Sequence, residues 1–383
     1  MRLSFVFRAL VALLGAAVPA RAQDVVQFIF TSDLHYGITR PAFRGDSNVR
    51  ASTVNAALVR QMNALPRLNL PGDGGIRAGQ PVGPIDFVII AGDIANRAEN
   101  GVQPASASWR EFEHDYVHGL TLRAHDGTAA RLFAVPGNHD LSNAIGFPKP
   151  LTPAHDATSL AGIYTMMMGR PPAAEPFDPA RDIVNRSRSI GGIHFVFVSI
   201  WPDSAERLWL KRDLDSVAAA TPIVIVAHDP PIGDAKHFTN PNGAHDINAS
   251  DGFENLLRET YKDAMHVGGG RASGEPKAST DIEQRGLAAF VKAHPNITAY
   301  FHGHSNANEF YVWRGPDGDV ALNTFRVDSP MKGAVSAADE SRLSFQLVTI
   351  DVKRMRMTVR ECLWNSSRNS PVMFGDSKTV SLH

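Results

Sequence analysis

Five apolar runs in this chain of 383 residues, at 26–30, 87–90, 132–135, 223–226 and 297–301, each stop at a short polar motif. In order the motifs are Asp33-Leu34-His35, Gly92-Asp93, Gly137-Asn138-His139-Asp140, His228, and Gly303-His304 with Asn306. Runs of this length, rich in Val, Ile and Phe and bounded by Gly, Asp and Asn, read as buried strands. The polar groups that follow them are then expected along one sheet edge. Carboxylate, imidazole and carboxamide groups gathered there suit borderline divalent or trivalent ions. Two such ions sharing a carboxylate can activate water against a phosphoryl centre.

The remaining bounds are broad. With 43% hydrophobic and 20% charged residues the chain is ordinary globular material, and the strand spacing favours one large domain over two small ones. A formal net charge of -1 supplies no long-range attraction for nucleic acid or an anionic membrane. An anionic substrate must therefore be held locally, by metals and a few basic groups, and no obligate nucleic-acid partner is expected. Arg2 and Arg8, the apolar stretch 9–19 and Ala20-Arg21-Ala22 match a secretory signal with an A-x-A cleavage site. Residues 1–22 are read as a signal peptide removed near Ala22. The apolar stretch is shorter than the roughly 20 residues that span a bilayer, so a periplasmic or secreted protein without a membrane anchor is expected. Cys362 is the only cysteine, which excludes an intramolecular disulfide, and its strand-like surroundings mark it as a packing residue.

After the leader, residues 23–383 alternate strand-like runs with amphipathic helical stretches at 52–65, 108–124, 205–219 and 281–294, an α/β pattern. Two long polar stretches interrupt it, near 141–189 and 230–280, each directly after a polar motif, and position favours loops that serve the site. Runs at 309–313, 320–322, 343–350 and 355–362 follow one another without helical stretches between them, which predicts an antiparallel C-terminal half.

Each motif alone has a bland reading. Asp33 and His35, two apart at a strand end, can project to the same side and share an ion, yet an isolated pair of this kind is usually a surface hydrogen bond. Asp93 can bridge two cations or cap the next helix. Asn138 offers a neutral oxygen, and His139 can reach substrate from the same turn. His228 and His304 could each be a satisfied structural histidine. The ordered recurrence of a competent ligand at five strand ends outweighs these readings.

This ordered set resembles the calcineurin-like metallophosphoesterase superfamily, whose pattern is D-x-H, GD, GNH followed by D or E, a lone His, and GH-x-H. The match runs from Asp33 to Asn306. The resemblance implies a four-layer α-β-β-α sandwich of two packed mixed sheets. It implies Asp33 and His35 as ligands of a first metal, Asp93 as the bridge, and Asn138, His228 and His304 on a second. It implies that His139, oriented by Asp140, hydrogen-bonds the phosphate or protonates the leaving group. One position departs: Asn306 stands where the family has a second histidine. An amide oxygen is a weaker donor to a borderline cation, which points to a weakly held first ion or a harder one; His302 is the alternative donor. Asn96 stands where purple acid phosphatases carry a metal-binding tyrosine. Arg97 stands where the protein-phosphatase branch has a phosphate-binding arginine, which could equally be an exposed loop residue.

The expected activity is hydrolysis of small phosphate mono- or diesters by in-line attack of water activated by two ions, of Mn, Fe, Zn or Mg, with no covalent enzyme intermediate. The alternatives are a weakened metal- or phosphate-binding protein on the same scaffold, for which Asn306 speaks and His139 does not, and a carbohydrate-binding sandwich, which leaves the clustered ligands unexplained.

Overall fold

The computed structural model describes residues 24–96, 103–141, 156–173, 177, 181–234, 237, 281–367 and 370–383. Residues 1–22, expected to be a signal peptide, and Arg97 lie outside them, as does most of the second long polar stretch. Two six-stranded sheets carry the fold. The first runs β14 (Met373–Ser381), β13 (Arg356–Leu363), β12 (Ser344–Asp351), β1 (Val25–Thr31), β4 (Phe87–Ile90), β5 (Arg131–Ala134). The second runs β10 (Glu309–Trp313), β11 (Leu322–Arg326), β9 (Ile297–His302), β8 (Ile223–Val226), β7 (Ile193–Phe197), β6 (Arg186–Ile190). A small hairpin, β2 (Thr39–Phe43) with β3 (Asp46–Arg50), stands apart from both.

The apolar runs do not alternate because both of their faces are covered. In the second sheet the period of two is visible in what each residue packs against. Val224, Val226, Phe195, Phe197 and Phe301 join one core with the first sheet, while Ile223, Ile225, Val196 and Tyr300 join a second core. Aromatic rings fill the inter-sheet space: Phe28 meets Phe195 and Phe301 at 5.6 and 5.7 Å between centroids, and Phe133 stacks on Phe197 at 4.9 Å. Helix α1 (Ala51–Ala64) buries Val54, Leu58 and Met62 into the first core. Leu210 and Leu214 of α5 (Ser204–Leu214) and Leu287 of α6 (Asp281–Ala293) close the second. The layers are therefore helix, sheet, sheet, helix, in a mixed α/β fold.

The first sheet is parallel at one end, across β1, β4 and β5, and the second is parallel through its middle. β1 pairs with β4, and β4 with β5, in parallel register, as do β7 with β8, β8 with β9, and β9 with β11. Of these, β1, β4, β5, β8 and β9 carry the polar motifs at their C-terminal ends.

The expectation of an antiparallel C-terminal half holds between consecutive strands, β10 with β11 and β12 with β13, and needs correction at one pairing. β12, β13 and β14 are antiparallel neighbours, but β11 pairs parallel with β9, so β10 and β11 complete the second sheet while the later strands extend the first. A short helix, α7 (Ala334–Ala338), lies in the connection between the sheets. Part of the first long polar stretch is also core. Helix α4 (Thr158–Met168) buries Leu160, Ile163, Tyr164 and Met167, and its Gly162 sits so close to the Trp109 indole of α2 (Ala105–Phe112) that a side chain there would collide. Among the described residues no helix is long and apolar enough to cross a membrane. Cys362 is buried, and burial pushes its thiol well above the usual range, as befits a packing residue.

Candidate metal centre

The turns after β1 and β4 are zipped together by their backbones. Asp33 N–H donates to Gly92 O (3.0 Å), His35 N–H to Asp93 O (2.9 Å) and Tyr36 N–H to Ile94 O (2.9 Å). Buried Asn55 of α1 donates to Leu34 O at 2.9 Å and ties the first turn to the helix layer. This bonding holds backbone that would otherwise be unfavourable. Asp33, His35, Asp93, His304 and Asn306 all have φ between 44° and 64°. Residues with a Cβ adopt that region at a cost, and such outliers gather at functional sites. Gly92, at φ 92°, could not be replaced without collision: an added Cβ would lie 2.6 Å from Gly137 N and 2.7 Å from His228 Nδ1.

Into this frame the side chains converge. Asp93 Oδ2 lies 3.5 Å from His228 Nε2, 3.8 Å from His35 Nε2 and 3.9 Å from His139 Nε2, and His35 Nε2 lies 3.7 Å from Asp33 Oδ1. His228 Nε2 and His304 Nδ1 stand 3.2 Å apart, and each is near Asn138 Oδ1, at 3.0 and 3.1 Å. Ligands about 2.1 Å from a single ion stand roughly 3.0 to 3.4 Å apart at octahedral to tetrahedral angles, so these three atoms have the spacing of a coordination shell. The sets Asp33, Asp93, His228 and His35, Asp93, His139 both offer three ligand atoms within 4.8 Å of one another, and Asp93 belongs to each. Asp33, His35, Asp93, Asn138, His139, His228 and His304 thus lie together in space, while Arg97 lies outside the described residues.

Whether the residues present fit a cation is answered by their orphaned atoms. Asp33 Oδ1, both ring nitrogens of His35 and Asn306 Oδ1 are buried without a hydrogen-bond partner. The Asn306 amide nitrogen donates to His304 O at 3.0 Å, so its oxygen is the group left over. The charge balance agrees. Burial alone would raise the carboxyls of Asp33 and Asp93, but the neighbouring imidazoles hold both below the ordinary range, Asp93 well below. Burial alone would lower His228, but Asp93 and Asp33 outweigh it and push it up to about 10. The cluster draws positive charge to itself.

The orientation of the ligands is set by outer partners. His228 Nδ1 donates to Ala91 O (2.6 Å), which turns Nε2 toward the Asp93 and Asn138 oxygens. His304 Nε2 meets Asp234 Oδ2 at 3.0 Å, and His237 Nδ1 donates to Asp229 Oδ2 at 2.7 Å. His302, by contrast, has both nitrogens occupied, Nδ1 on Gly303 O and Nε2 on the Tyr311 hydroxyl, each at 2.9 Å. Burial lowers it to about 3 and keeps the ring neutral. Neither ring nitrogen of His302 is left for an ion, whereas the Asn306 oxygen is. Asp140 accepts from the backbone N–H groups of Gly137 (3.0 Å), Ile94 (3.1 Å) and Ala95 (3.0 Å) and from the Ser159 hydroxyl (2.5 Å). With both oxygens engaged it orders the turn that carries His139 and ties it to the Asp93 turn. Burial raises its carboxyl to about 6.

Three polar neighbours escaped the sequence reading. Asp229 follows His228 directly and could have been found by adjacency. Asp234 is six residues beyond. Lys332, whose Nζ lies 3.3 Å from His139 Nε2, stands outside every motif and gave no signal.

A two-sheet sandwich with this carboxylate, imidazole and amide cluster at its strand ends defines a metal-dependent phosphoric ester hydrolase. The calcineurin-like phosphoesterase family model matches residues 26–307, and the chain belongs to that family. No curated protein sequence matches it significantly. Among solved structures it is similar to a dimetal phosphatase from Danio rerio, at 11% identity, TM-score 0.47, 94% of this chain and 100% of that one. It is similar also to a purple acid phosphatase from yellow lupin (Lupinus luteus) seeds, at 12% identity, TM-score 0.44 and 93% of this chain, and spans about half of that protein's length (54%). A third is GAP50, the anchor in the inner membrane complex of Plasmodium, at 10% identity, TM-score 0.41, 92% of this chain and 89% of that one.

Proposed function

We propose that this phosphoesterase is exported and works with two metal ions on small phosphate esters. The observation that carries the dinuclear reading is Asp93, whose Oδ2 lies between His228 Nε2 at 3.5 Å and His35 Nε2 at 3.8 Å, with ligand groups on both sides. Asp33, His35, Asp93 and Asn306 would hold the first ion, and Asp93, Asn138, His228 and His304 the second. When bound, such ions activate water for in-line attack on phosphorus and neutralise charge on the phosphoryl oxygens. The chain's own residues do the rest. His139 is anchored by its backbone N–H on Asp93 Oδ1 (2.9 Å), which places its ring beside the bridge, edge-on to His35 at 5.0 Å between centroids. From there it hydrogen-bonds a phosphoryl oxygen or gives a proton to the departing one. Arg97 follows closely on the Asp93 turn and would add a guanidinium to the substrate's phosphoryl group.

Export rests on Arg2, Arg8, the apolar stretch 9–19 and Ala20-Arg21-Ala22. The test is purification of the full-length gene product from its compartment, with intact mass, elemental analysis and assays on p-nitrophenyl phosphate and its bis-ester. The expected result is a chain beginning at Gln23 with two ions and hydrolysis of at least one ester. One ion per chain would sink the dinuclear reading, and a retained leader would sink export.

A further inference from the structure

We infer that Lys332 is a phosphoryl contact that fits this site to dianionic phosphate monoesters over monoanionic diesters. The inference rests on the phosphoesterase reading above. The half-buried side chain reaches to 3.3 Å of His139 Nε2, which itself lies 3.9 Å from the shared carboxylate of Asp93. An ammonium is therefore set over the group that meets the substrate.

Its position is built from the backbone up. The Ser329 hydroxyl donates to Asp33 O at 2.8 Å and accepts the N–H groups of Met331 and Lys332, each at 3.0 Å, so residue 332 is registered directly against a metal-ligating residue. Arg40, buried to 1% exposure, donates Nη1 to Pro330 O at 3.0 Å and Nη2 to Ser336 O, and so clamps the same segment from the other side. At Gly333 an added side chain would run into Asp328 and Ser336. The segment carrying Lys332 is thus packed into the fold beside the Asp33 turn.

An ammonium is a compact point charge with three donors, a common partner for phosphate oxygens. A monoester carries a second negative charge near neutral pH, on an oxygen that a diester has capped with carbon. In a partly buried site the attraction between that charge and Nζ exceeds its value in water. Lys332 accordingly favours the monoester, while the metal cluster serves both esters.

The test uses the full chain loaded with Mn²⁺, as wild type, K332M and K332R. Three measurements are made: kcat/KM on p-nitrophenyl phosphate and on its bis-ester, calorimetric binding of inorganic phosphate, and metal content. On the strength of one charge-assisted hydrogen bond, K332M should lose about 10- to 100-fold on the monoester and less than about 3-fold on the diester, with inorganic phosphate binding weakened about 10-fold. Metal content should be unchanged, and K332R should recover most of the loss. Equal losses on both esters, unchanged phosphate binding, or loss of metal in K332M would each overturn the inference. A wild-type protein that hydrolyses neither ester would overturn the phosphoesterase reading instead, and phosphate calorimetry would still report on Lys332.

Discussion

The two ends of the metal cluster are built differently. Around His35 the ligands Asp33, His35 and Asp93 all come from the first sheet, are at most 2% exposed, and are fixed by backbone bonds between neighbouring turns. Their ligand atoms nevertheless stand 3.7 to 3.8 Å apart. Around His304 the ligands come from both sheets, Asn138 from the first and His228 and His304 from the second, and His304 is oriented by the Asp234 side chain. Here the atoms close to 3.0 to 3.2 Å. The end fixed by backbone bonds is thus the looser cluster, and the donor proposed to complete it is the amide of Asn306. A stiff backbone fixes where ligands are, and the choice of donor atoms fixes how strongly they close on an ion.

Four substitutions would break or sharpen this contrast. If Asp93 bridges both ends as proposed, D93N should remove both ions and lower kcat/KM by more than about 1000-fold; elemental analysis finding full metal with full activity would end the bridging assignment. H139A should lower kcat by about 100- to 1000-fold while leaving metal content intact, and a parallel loss of metal would move His139 into the ligand shell. N306H should strengthen only the His35 end, by about 10-fold in a chelator competition; an unchanged titration would take Asn306 out of the ligand set.

The smallest effect concerns Asp328, which burial holds up to about 7, with Asp33 adding to the rise. Between about pH 4 and pH 7 the unfolded chain has lost this proton and the folded chain keeps it. The contribution to stability therefore falls as pH rises, by at most about 1.4 kcal/mol per unit. D328N should flatten that part of the urea-unfolding profile, and an unaltered slope would show that another group sets it.

Much of this was legible in the chain itself. The runs ending at Asp33, Asp93, Asn138, His228 and His304 announced buried strands, because an apolar run without alternation needs cover on both faces, but the one sheet edge expected of them is two, three runs lying in the first sheet and two in the second. The helical stretches at 52–65 and 281–294 announced the outer layers. The path of the C-terminal strands was not legible. β11 and β12 differ in length and composition, yet nothing local tells one to pair beside β9 and the other beside β1. The Thr158–Met168 helix hid in a stretch rich in Gly, Pro and Asn, and its fit against Trp109 depends on contacts across the fold.

The sequence by itself determined which donors are present and in what order along the chain, since composition and strand periodicity are local properties. Only the tertiary structure decided what each donor faces. Asn306 and His302 differ by four positions, yet one keeps a buried oxygen without a partner and the other has both nitrogens spent on Gly303 and Tyr311. Lys332 reaches His139 across 193 positions of chain because Ser329 hooks its segment to Asp33. Such meetings are set by packing between distant elements, and no spacing rule along the chain encodes them.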